Sequence, residues 1–330
     1  MIGGAAANHR SVDNESANGK NKIMVRHLAR DLLLWAMFCA PLIAVQEPLQ
    51  VFRSESDLVV LHVNVFDGRS DAVPDLAQSA FTVLEDDEGQ EITFFSGADV
   101  PVTVGLILDN SSSMIARQRM AIAGSKAFAR SSHTEDELFT IHFNERVQFG
   151  LPAGMPFTNR QTLLSAALAR FGPGGKTALY DAVMAGLDHL EFATHQKRVL
   201  VVLSDGEDNA STHTEEEMIA HARDSNAIVY TVSTANRRYG LPGDAGVLRK
   251  LANVAGGVAY FPDGDDEVVE SFDRIAANIR RGYLIGYIPT NTAHDGTYRR
   301  VKVGVRVPGQ KNLRVRSRDG YRTHHHPGSR

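Results

Sequence analysis

Short apolar runs alternate with amphipathic patterns between residues 102 and 281, and this alternation strongly limits the possible folds. Strands are predicted at 102–108, 138–143, 198–203, 227–233 and 257–261. Helices are predicted at about 114–131, 160–170, 178–191, 214–225, 245–255 and 266–281. Such alternation predicts an α/β fold: a doubly wound, mostly parallel sheet flanked by helices. Residues 199–203 are apolar throughout, as expected for a strand that is buried on both faces.

The two flanks of this region are rich in β-strand patterns. Strand-like runs occur before it at 58–66, 81–84 and 92–95, and after it at 283–288, 300–307 and 313–316. About three strands on each side are too few for an independent domain. We therefore predict that the flanks pair into one small β-sandwich that carries the α/β region as an insertion. The acidic segment 86–89 is interpreted as a hairpin turn between 81–84 and 92–95, solvated rather than calcium-binding.

The predicted organisation has six parts. They are a disordered N-terminal region (1–31), a signal-peptide core or N-terminal anchor (32–46), an N-terminal β block (52–99), the α/β domain (100–281), a C-terminal β block (282–322) and a disordered tail (323–330).

The N-terminal apolar run predicts export. Leu32 to Val45 is uninterrupted and follows basic residues, and its length is short for a membrane span and typical of a signal-peptide core. Translation from Met24 instead of Met1 would give this core a short basic start. A periplasmic, cell-surface or secreted protein is expected, anchored if the segment stays uncleaved. The single cysteine, Cys39, rules out an intrachain disulfide framework.

Overall charge argues against nucleic acid and anionic membrane surfaces as partners. The formal net charge is −4 and 22% of residues are charged, which gives no broad basic surface. Any membrane contact is therefore expected only through the N-terminal segment.

Oxygen-bearing side chains follow two of the predicted strands and precede one helix. Asp109, Ser111 and Ser113 form a D-x-S-x-S motif directly after 102–108, and Asp205 follows 198–203. Thr177 ends a glycine-rich loop before the helix at 178–191. The carboxyl ends of parallel strands share one edge of a sheet, so these five residues can converge. Carboxylates and hydroxyls are suitable ligands for Mg²⁺, with Mn²⁺ or Ca²⁺ as substitutes.

These residues, in this order, resemble the von Willebrand factor type A domain and its metal-ion-dependent adhesion site. The resemblance implies that Ser111, Ser113 and Thr177 bind the metal directly, and that Asp109 and Asp205 act partly through water. The segments 57–60, 81–86, 90–92 and 283–287 resemble the frame of bacterial exported proteins related to this family. Neither resemblance identifies a partner or an oligomeric state.

The expected function is divalent-cation-dependent protein binding, in adhesion or assembly. Three neutral hydroxyls in direct contact, with the two carboxylates acting partly through water, leave a bound cation under-neutralised and with an open position. An Asp or Glu of a partner protein would complete the shell. The alternative is a structural cell-envelope protein in which the metal only stabilises the fold. Whether Glu207 and Asp208 assist cation capture or are simply solvated, and what Asp181 does, stays open.

Catalysis is not expected. The segment 172–177 lacks the first glycine of a phosphate loop, because Arg170 occupies that position. No G-x-S-x-G or H-E-x-x-H motif occurs, so neither a serine hydrolase nor a zinc protease is indicated. A metal-dependent hydrolase is the weakest of the three readings. His324, His325 and His326 are interpreted as part of a tail rather than a metal site.

Overall fold

The computed structural model describes residues 58–68, 72–97, 99–115, 117–235 and 243–323. The predicted N-terminal parts, Cys39 and the three tail histidines lie outside these ranges. The strands are β1 (Val59–Phe66), β2 (Phe81–Glu85), β3 (Glu88–Gln90), β4 (Ile92–Ser96), β5 (Val102–Asp109), β6 (Glu137–Phe143), β7 (Val147–Phe149), β8 (Lys197–Ser204), β9 (Ala227–Ser233), β10 (Ala259–Tyr260), β11 (Tyr283–Tyr287), β12 (Tyr298–Val305), β13 (Arg314–Arg316) and β14 (Gly320–Arg322). The helices are α1 (Gln118–Arg130), α2 (Gln161–Leu168), α3 (Leu179–His189), α4 (Glu215–Asp224), α5 (Ala245–Val254) and α6 (Asp265–Arg281).

The central sheet has the strand order β10-β9-β8-β5-β6-β7. All neighbours are parallel except β7, which runs antiparallel to β6 at one edge. β5 and β8 lie in the middle, and every residue of β5 is buried because helices cover both faces. The predicted doubly wound, mostly parallel α/β fold is therefore confirmed. The short strand β7 was not predicted.

The first helix begins later than its sequence pattern indicates. Helical periodicity predicts a start near residue 114, whereas α1 begins at Gln118 after a 3₁₀ turn at Ser112–Met114. The Asp109 carboxylate accepts from the backbone N–H of Ser111 rather than from a residue of α1. The extra turn keeps the D-x-S-x-S segment outside the regular helix. None of the described helices is long and apolar enough to span a membrane.

The two flanks form two antiparallel sheets, as the predicted β-sandwich requires. One sheet has the order β13-β1-β11-β4 and the other has β14-β12-β2-β3, so each combines strands from both ends of the chain. Their inward faces share one apolar core that includes Leu61, Phe81, Ile285 and Val301. The sandwich therefore exists only when the N- and C-terminal segments meet.

The predicted hairpin between 81–84 and 92–95 is wrong. β2 turns at Asp86 and Asp87, both with positive φ, and pairs with β3 instead. β4 crosses to the other sheet and pairs with β11. The crossing lets aromatic rings from both sheets pack together: the Phe81 ring lies 5.0 Å from that of Tyr283. Within the turn, the Asp87 carboxylate lies 2.6 Å from the Lys302 ammonium of β12.

Buried charges also join the two ends of the chain. Arg299 on β12 donates to Glu85 on β2 at 3.0 Å, and both side chains are only 2% exposed. The hydroxyls of Tyr287 and Tyr321 donate to the second oxygen of Glu85, at 2.7 Å and 2.8 Å. Each oxygen of Glu85 is thereby satisfied, as a buried carboxylate requires.

Buried His62 should make stability depend on pH. Burial lowers its pKa from 6.5 to about 3, and the nearby charges of Lys197 and Arg318 add to this effect. Below pH 6.5 the unfolded chain therefore binds a proton that the folded chain does not, so stability falls as pH falls. Between about pH 7 and about pH 5 this group should cost about 2 kcal/mol. Urea unfolding at both pH values should show that His62→Leu removes this part of the loss; an unchanged pH dependence would contradict the assignment.

Candidate metal centre

The D-x-S-x-S segment leaves the central sheet at the end of β5. Asp109 is its last residue, and one carboxylate oxygen accepts from the Ser111 N–H at 2.8 Å. The hydroxyls of Ser111 and Ser113 lie 2.9 Å apart. Ser111 is buried and Ser113 is exposed, so this pair of hydroxyls leads from the interior to the surface.

The glycine-rich loop that carries Thr177 is hydrogen-bonded to this segment. Gly174 N–H donates to the Asn110 carbonyl at 2.7 Å, and Ser112 N–H donates to the Gly175 carbonyl at 3.1 Å. Gly175 has a φ of +87°, and a Cβ there would lie 1.8 Å from a Glu145 oxygen, so glycine is required. The element before this loop is α2, whereas a phosphate loop follows a strand. The loop therefore braces the site rather than cradling a nucleotide.

The third loop begins at the end of β8 and completes the arrangement. Ser204 Oγ donates to the other oxygen of Asp109 at 2.7 Å. Asp205 is buried, and one of its carboxylate oxygens accepts from the Glu207 N–H at 3.1 Å. Asn209 accepts from the Thr177 N–H at 2.9 Å and donates its own N–H to the Thr177 carbonyl. Each loop is thus hydrogen-bonded to the other two.

The structure brings the loops of all five predicted ligands to the carboxyl edge of the sheet. These ligands are Asp109, Ser111, Ser113, Thr177 and Asp205. Two acidic residues whose roles sequence analysis left undecided form hydrogen bonds within the site. Asp181 accepts from Thr212 and His213, and Asp208 accepts from Tyr180 and Ser211. Glu207 is exposed. Asp181 and Asp208 therefore hold the loop 206–213 against the start of α3.

Sequence reasoning missed the asparagines that connect the loops. Asn110 donates to the Phe171 carbonyl and contacts His142, and Asn144 donates to the Gly174 carbonyl. Asn110 lies inside the recognised motif, so its position was an available signal. Asn144 follows β6 and is no closer to the motif in sequence than many other polar residues. Only the folded chain shows its contact.

Negative charge is concentrated in the interior of this site. Burial raises the pKa of Asp109 to about 6, although hydrogen bonds from Ser111 and Ser204 favour its ionised form. The neighbouring charge of Asp205 raises this pKa further. Arg117 is buried, and its positive charge interacts with the carboxylates of Asp205 and Asp109. Its guanidinium donates a hydrogen bond to the Thr234 hydroxyl at 3.2 Å. Two buried carboxylates near one guanidinium leave negative charge that a cation would neutralise.

The donor set fits a hard cation. Among the described residues, no three His, Cys, Asp or Glu side chains are grouped as around a metal ion. Cation binding here would therefore depend on hydroxyl oxygens together with the two carboxylates, a donor set suited to Mg²⁺.

Fold and site together define a class of protein. It has an open α/β sheet whose carboxyl edge carries loops with carboxylate and hydroxyl side chains. The model of the von Willebrand factor type A domain matches residues 104–274, just over half of the chain. The chain belongs to this family.

Several solved structures are similar to this chain at low sequence identity. A von Willebrand factor type A protein from Catenulispora acidiphila is 15% identical, with a TM-score of 0.49, and the match covers 84% of this chain and 76% of the other. An aerotolerance-related membrane protein from Bacteroides fragilis is 17% identical, with a TM-score of 0.44 and coverage of 54% and 98%. The von Willebrand domain of the pilus tip protein Mfa5 from Porphyromonas gingivalis is 14% identical, with a TM-score of 0.45 and coverage of 55% and 96%. No curated protein matches the chain significantly.

Proposed function

We propose that this protein binds a partner protein through a divalent cation at the carboxyl edge of its central sheet. Asp109, Ser111, Ser113, Thr177 and Asp205 would hold the cation, with Mg²⁺ as the expected ion. A carboxylate of the partner would complete the metal shell. The proposed role is adhesion or assembly outside the cytoplasm, without catalysis.

The mutual hydrogen bonding of the three loops is the observation that supports this proposal best. Asp109 is held by Ser111 N–H and Ser204 Oγ, and Thr177 is held by Asn209. Loops fixed in this way can bind a cation without the entropic cost of ordering the loops first. Because the loops are preorganised and lie at an exposed edge of the sheet, the site is suited to reversible binding of a partner protein.

The cation would supply attraction for an anionic ligand. Two carboxylates and three neutral hydroxyls do not fully match a coordination shell of six oxygens, so water or a ligand oxygen must occupy the remainder. The exposed hydroxyl of Ser113 is at the solvent side of the site. A partner Asp or Glu approaching from that side would meet the cation.

An exposed apolar residue follows the D-x-S-x-S segment closely in sequence. Ile115 is 66% exposed and lies two residues after Ser113. Partner residues around the carboxylate would bury this side chain, and fully burying an isoleucine is worth about 1.5–3 kcal/mol. Ile115→Ser should therefore weaken partner binding by tenfold or more while leaving Mg²⁺ affinity unchanged. Unchanged partner affinity would exclude Ile115 from the interface.

Partner capture from extracts, with and without EDTA, tests the proposal. The immobilised chain should retain a partner in Mg²⁺ and release it in EDTA, and Thr177→Val should retain none. Exposed Phe192→Ser serves as a control because Phe192 lies outside the three loops. Retention that is unaffected by EDTA and by Thr177→Val would refute a metal-mediated contact.

The structural alternative predicts a different pattern. If the cation only stabilised the fold, EDTA would lower the melting temperature and leave partner retention unchanged. Measuring unfolding and retention on the same samples separates the two roles. Turnover of a generic ester or phosphate that requires metal would instead support the hydrolase alternative.

A further inference from the structure

A small basic cavity lies between the β-sandwich and helix α6, and no residue of the three metal-site loops lines it. Its volume is about 150 Å³. The lining includes four exposed arginines, which are Arg274, Arg281, Arg314 and Arg316. Most of the remaining lining is apolar, including Phe66. This volume is below that of typical ligand pockets, so the cavity suits one charged group of a ligand rather than a whole large molecule.

The arginines reach the cavity from two sides. Arg274 and Arg281 are seven residues apart on α6, so they share one face of the helix and lie about 10 Å apart along its axis. Arg316 on β13 pairs with Asn64 of β1. A Cβ at Gly282, the residue after Arg281, would lie 2.6 Å from the side-chain oxygen of Asn64. Antiparallel partners are about 5 Å apart, so the long side chains of Arg281 and Arg316 can reach one small group between them.

Tyr260 on β10 adds a hydroxyl to the lining, between the two arginines of the helix. The Tyr260 hydroxyl accepts a hydrogen bond from Asn278 at 2.8 Å, and Asn278 is about one turn of α6 from both Arg274 and Arg281. Burial raises the pKa of Tyr260 to about 12, whereas the charge of nearby Arg274 acts to lower it. The hydroxyl therefore stays protonated at neutral pH. Because it accepts from Asn278, its own hydrogen can be donated to a ligand.

Three of these arginines carry charge that the described residues do not neutralise. Within the described ranges, Arg274, Arg281 and Arg316 form no ion pair with a carboxylate. Arg316 donates to the neutral amide oxygen of Asn253 at 2.8 Å. By contrast Arg280, the neighbour of Arg281, pairs with two aspartates. The cavity therefore concentrates positive charge, although the chain as a whole carries −4.

We propose that this cavity binds the phosphate group of a small phosphate monoester. A phosphate monoester carries nearly two negative charges at neutral pH, and its three terminal oxygens can accept from guanidiniums on both sides and from the Tyr260 hydroxyl. A carboxylate offers one charge and two oxygens, so it matches three arginines less well. The site uses no divalent cation and none of the five metal ligands, so it goes beyond the proposed function.

Titration of the full chain in EDTA, at constant ionic strength, tests this site. Glycerol 3-phosphate is the monoester probe, succinate is a dianion with carboxylates only, and glycerol is the uncharged control. Glycerol 3-phosphate should bind saturably and at least tenfold more tightly than succinate, inorganic phosphate should compete with it, and glycerol should not bind. Absence of saturable binding, equal binding of succinate, or no competition by inorganic phosphate would overturn the proposal.

A lipid carrying the same group is a separate outcome. Vesicles that contain phosphatidic acid present a phosphate monoester on a membrane surface. Binding to these vesicles without binding to soluble glycerol 3-phosphate would assign the cavity to a membrane and overturn the proposal of a small ligand.

Variants locate the binding. Arg281→Gln should weaken glycerol 3-phosphate binding by tenfold or more, and adding Arg316→Gln should abolish saturable binding. Arg281 is exposed and its side chain has no hydrogen bond within the described ranges, so its replacement should leave the melting temperature unchanged. Arg306→Gln is the matched control, because Arg306 is exposed and does not line the cavity. Wild-type affinity in the double variant, or an equal loss in Arg306→Gln, would overturn the proposal.

Chemical protection of the wild type covers the case in which the double variant fails to fold. Phenylglyoxal modifies exposed arginines, and mass spectrometry of peptides reports the extent at each position. Glycerol 3-phosphate should slow the modification of Arg274, Arg281 and Arg316 and leave Arg306 unaffected. Equal protection of Arg306, or no protection at the cavity, would place the anion elsewhere and overturn the proposal.

Discussion

Asp109→Asn is expected to abolish divalent-cation binding while the protein stays folded. Asparagine has nearly the same shape, and its carbonyl oxygen can still accept from the Ser111 N–H. The substitution removes a buried negative charge, whose cost is evident from the pKa of Asp109 near 6. Calorimetry with MgCl₂ should show a loss of affinity on the order of 100-fold or more.

The Asp109→Asn variant should lose metal affinity but should not lose stability in the absence of metal. Removing one of two neighbouring buried carboxylates relieves repulsion, so the free energy of unfolding in EDTA should be equal or slightly higher. Glu207→Gln is the matched control, because it removes an exposed carboxylate beside Asp205 and should leave Mg²⁺ affinity almost unchanged. If Asp109→Asn bound Mg²⁺ with the affinity of the wild type, Asp109 would not be a metal ligand.

Arg299→Met is expected to be the most destabilising single change in the β-sandwich. It leaves Glu85 buried with no cation, although the hydroxyls of Tyr287 and Tyr321 still donate to it. Removing one partner of a buried ion pair typically costs about 3–5 kcal/mol. Urea unfolding at neutral pH should show a loss of this size.

The double variant Glu85→Gln with Arg299→Met tests the cause. Neutralising Glu85 removes the uncompensated charge, so the double variant should recover a large part of the loss. Equal instability of the single and double variants would mean that the loss comes from the contacts of Arg299 with Asn291 and Ala293 instead.

The parallel sheet and its order of elements were predictable because their signals are local. Residues 102–108 and 199–203 are apolar without interruption, as strands buried on both faces must be. The D-x-S-x-S motif is also local, since Asp109 and Ser111 interact across two residues. Helix boundaries were less certain: α1 starts at Gln118 because a 3₁₀ turn precedes it.

Strand pairing in the flanks was harder to predict because distant partners decide it. Residues 92–95 have the pattern of a hairpin strand, yet β4 pairs with β11, almost two hundred residues away along the chain. Aromatic packing around Tyr283 stabilises this crossing. The sequence near residue 92 contains no local pattern that indicates it. Short β7 was missed since a three-residue edge strand has too little pattern to recognise.

Residue identity and order along the chain therefore set the α/β class, the family and the five candidate ligands. Tertiary contacts set what those residues meet: Asn209 lies against Thr177, and Glu85 lies against Arg299. The physical reason is the distance along the chain over which each kind of interaction acts. Periodicity and turn chemistry act over a few residues and are written in neighbouring letters, whereas burial and charge pairing join groups that only the closed fold brings within a few ångströms.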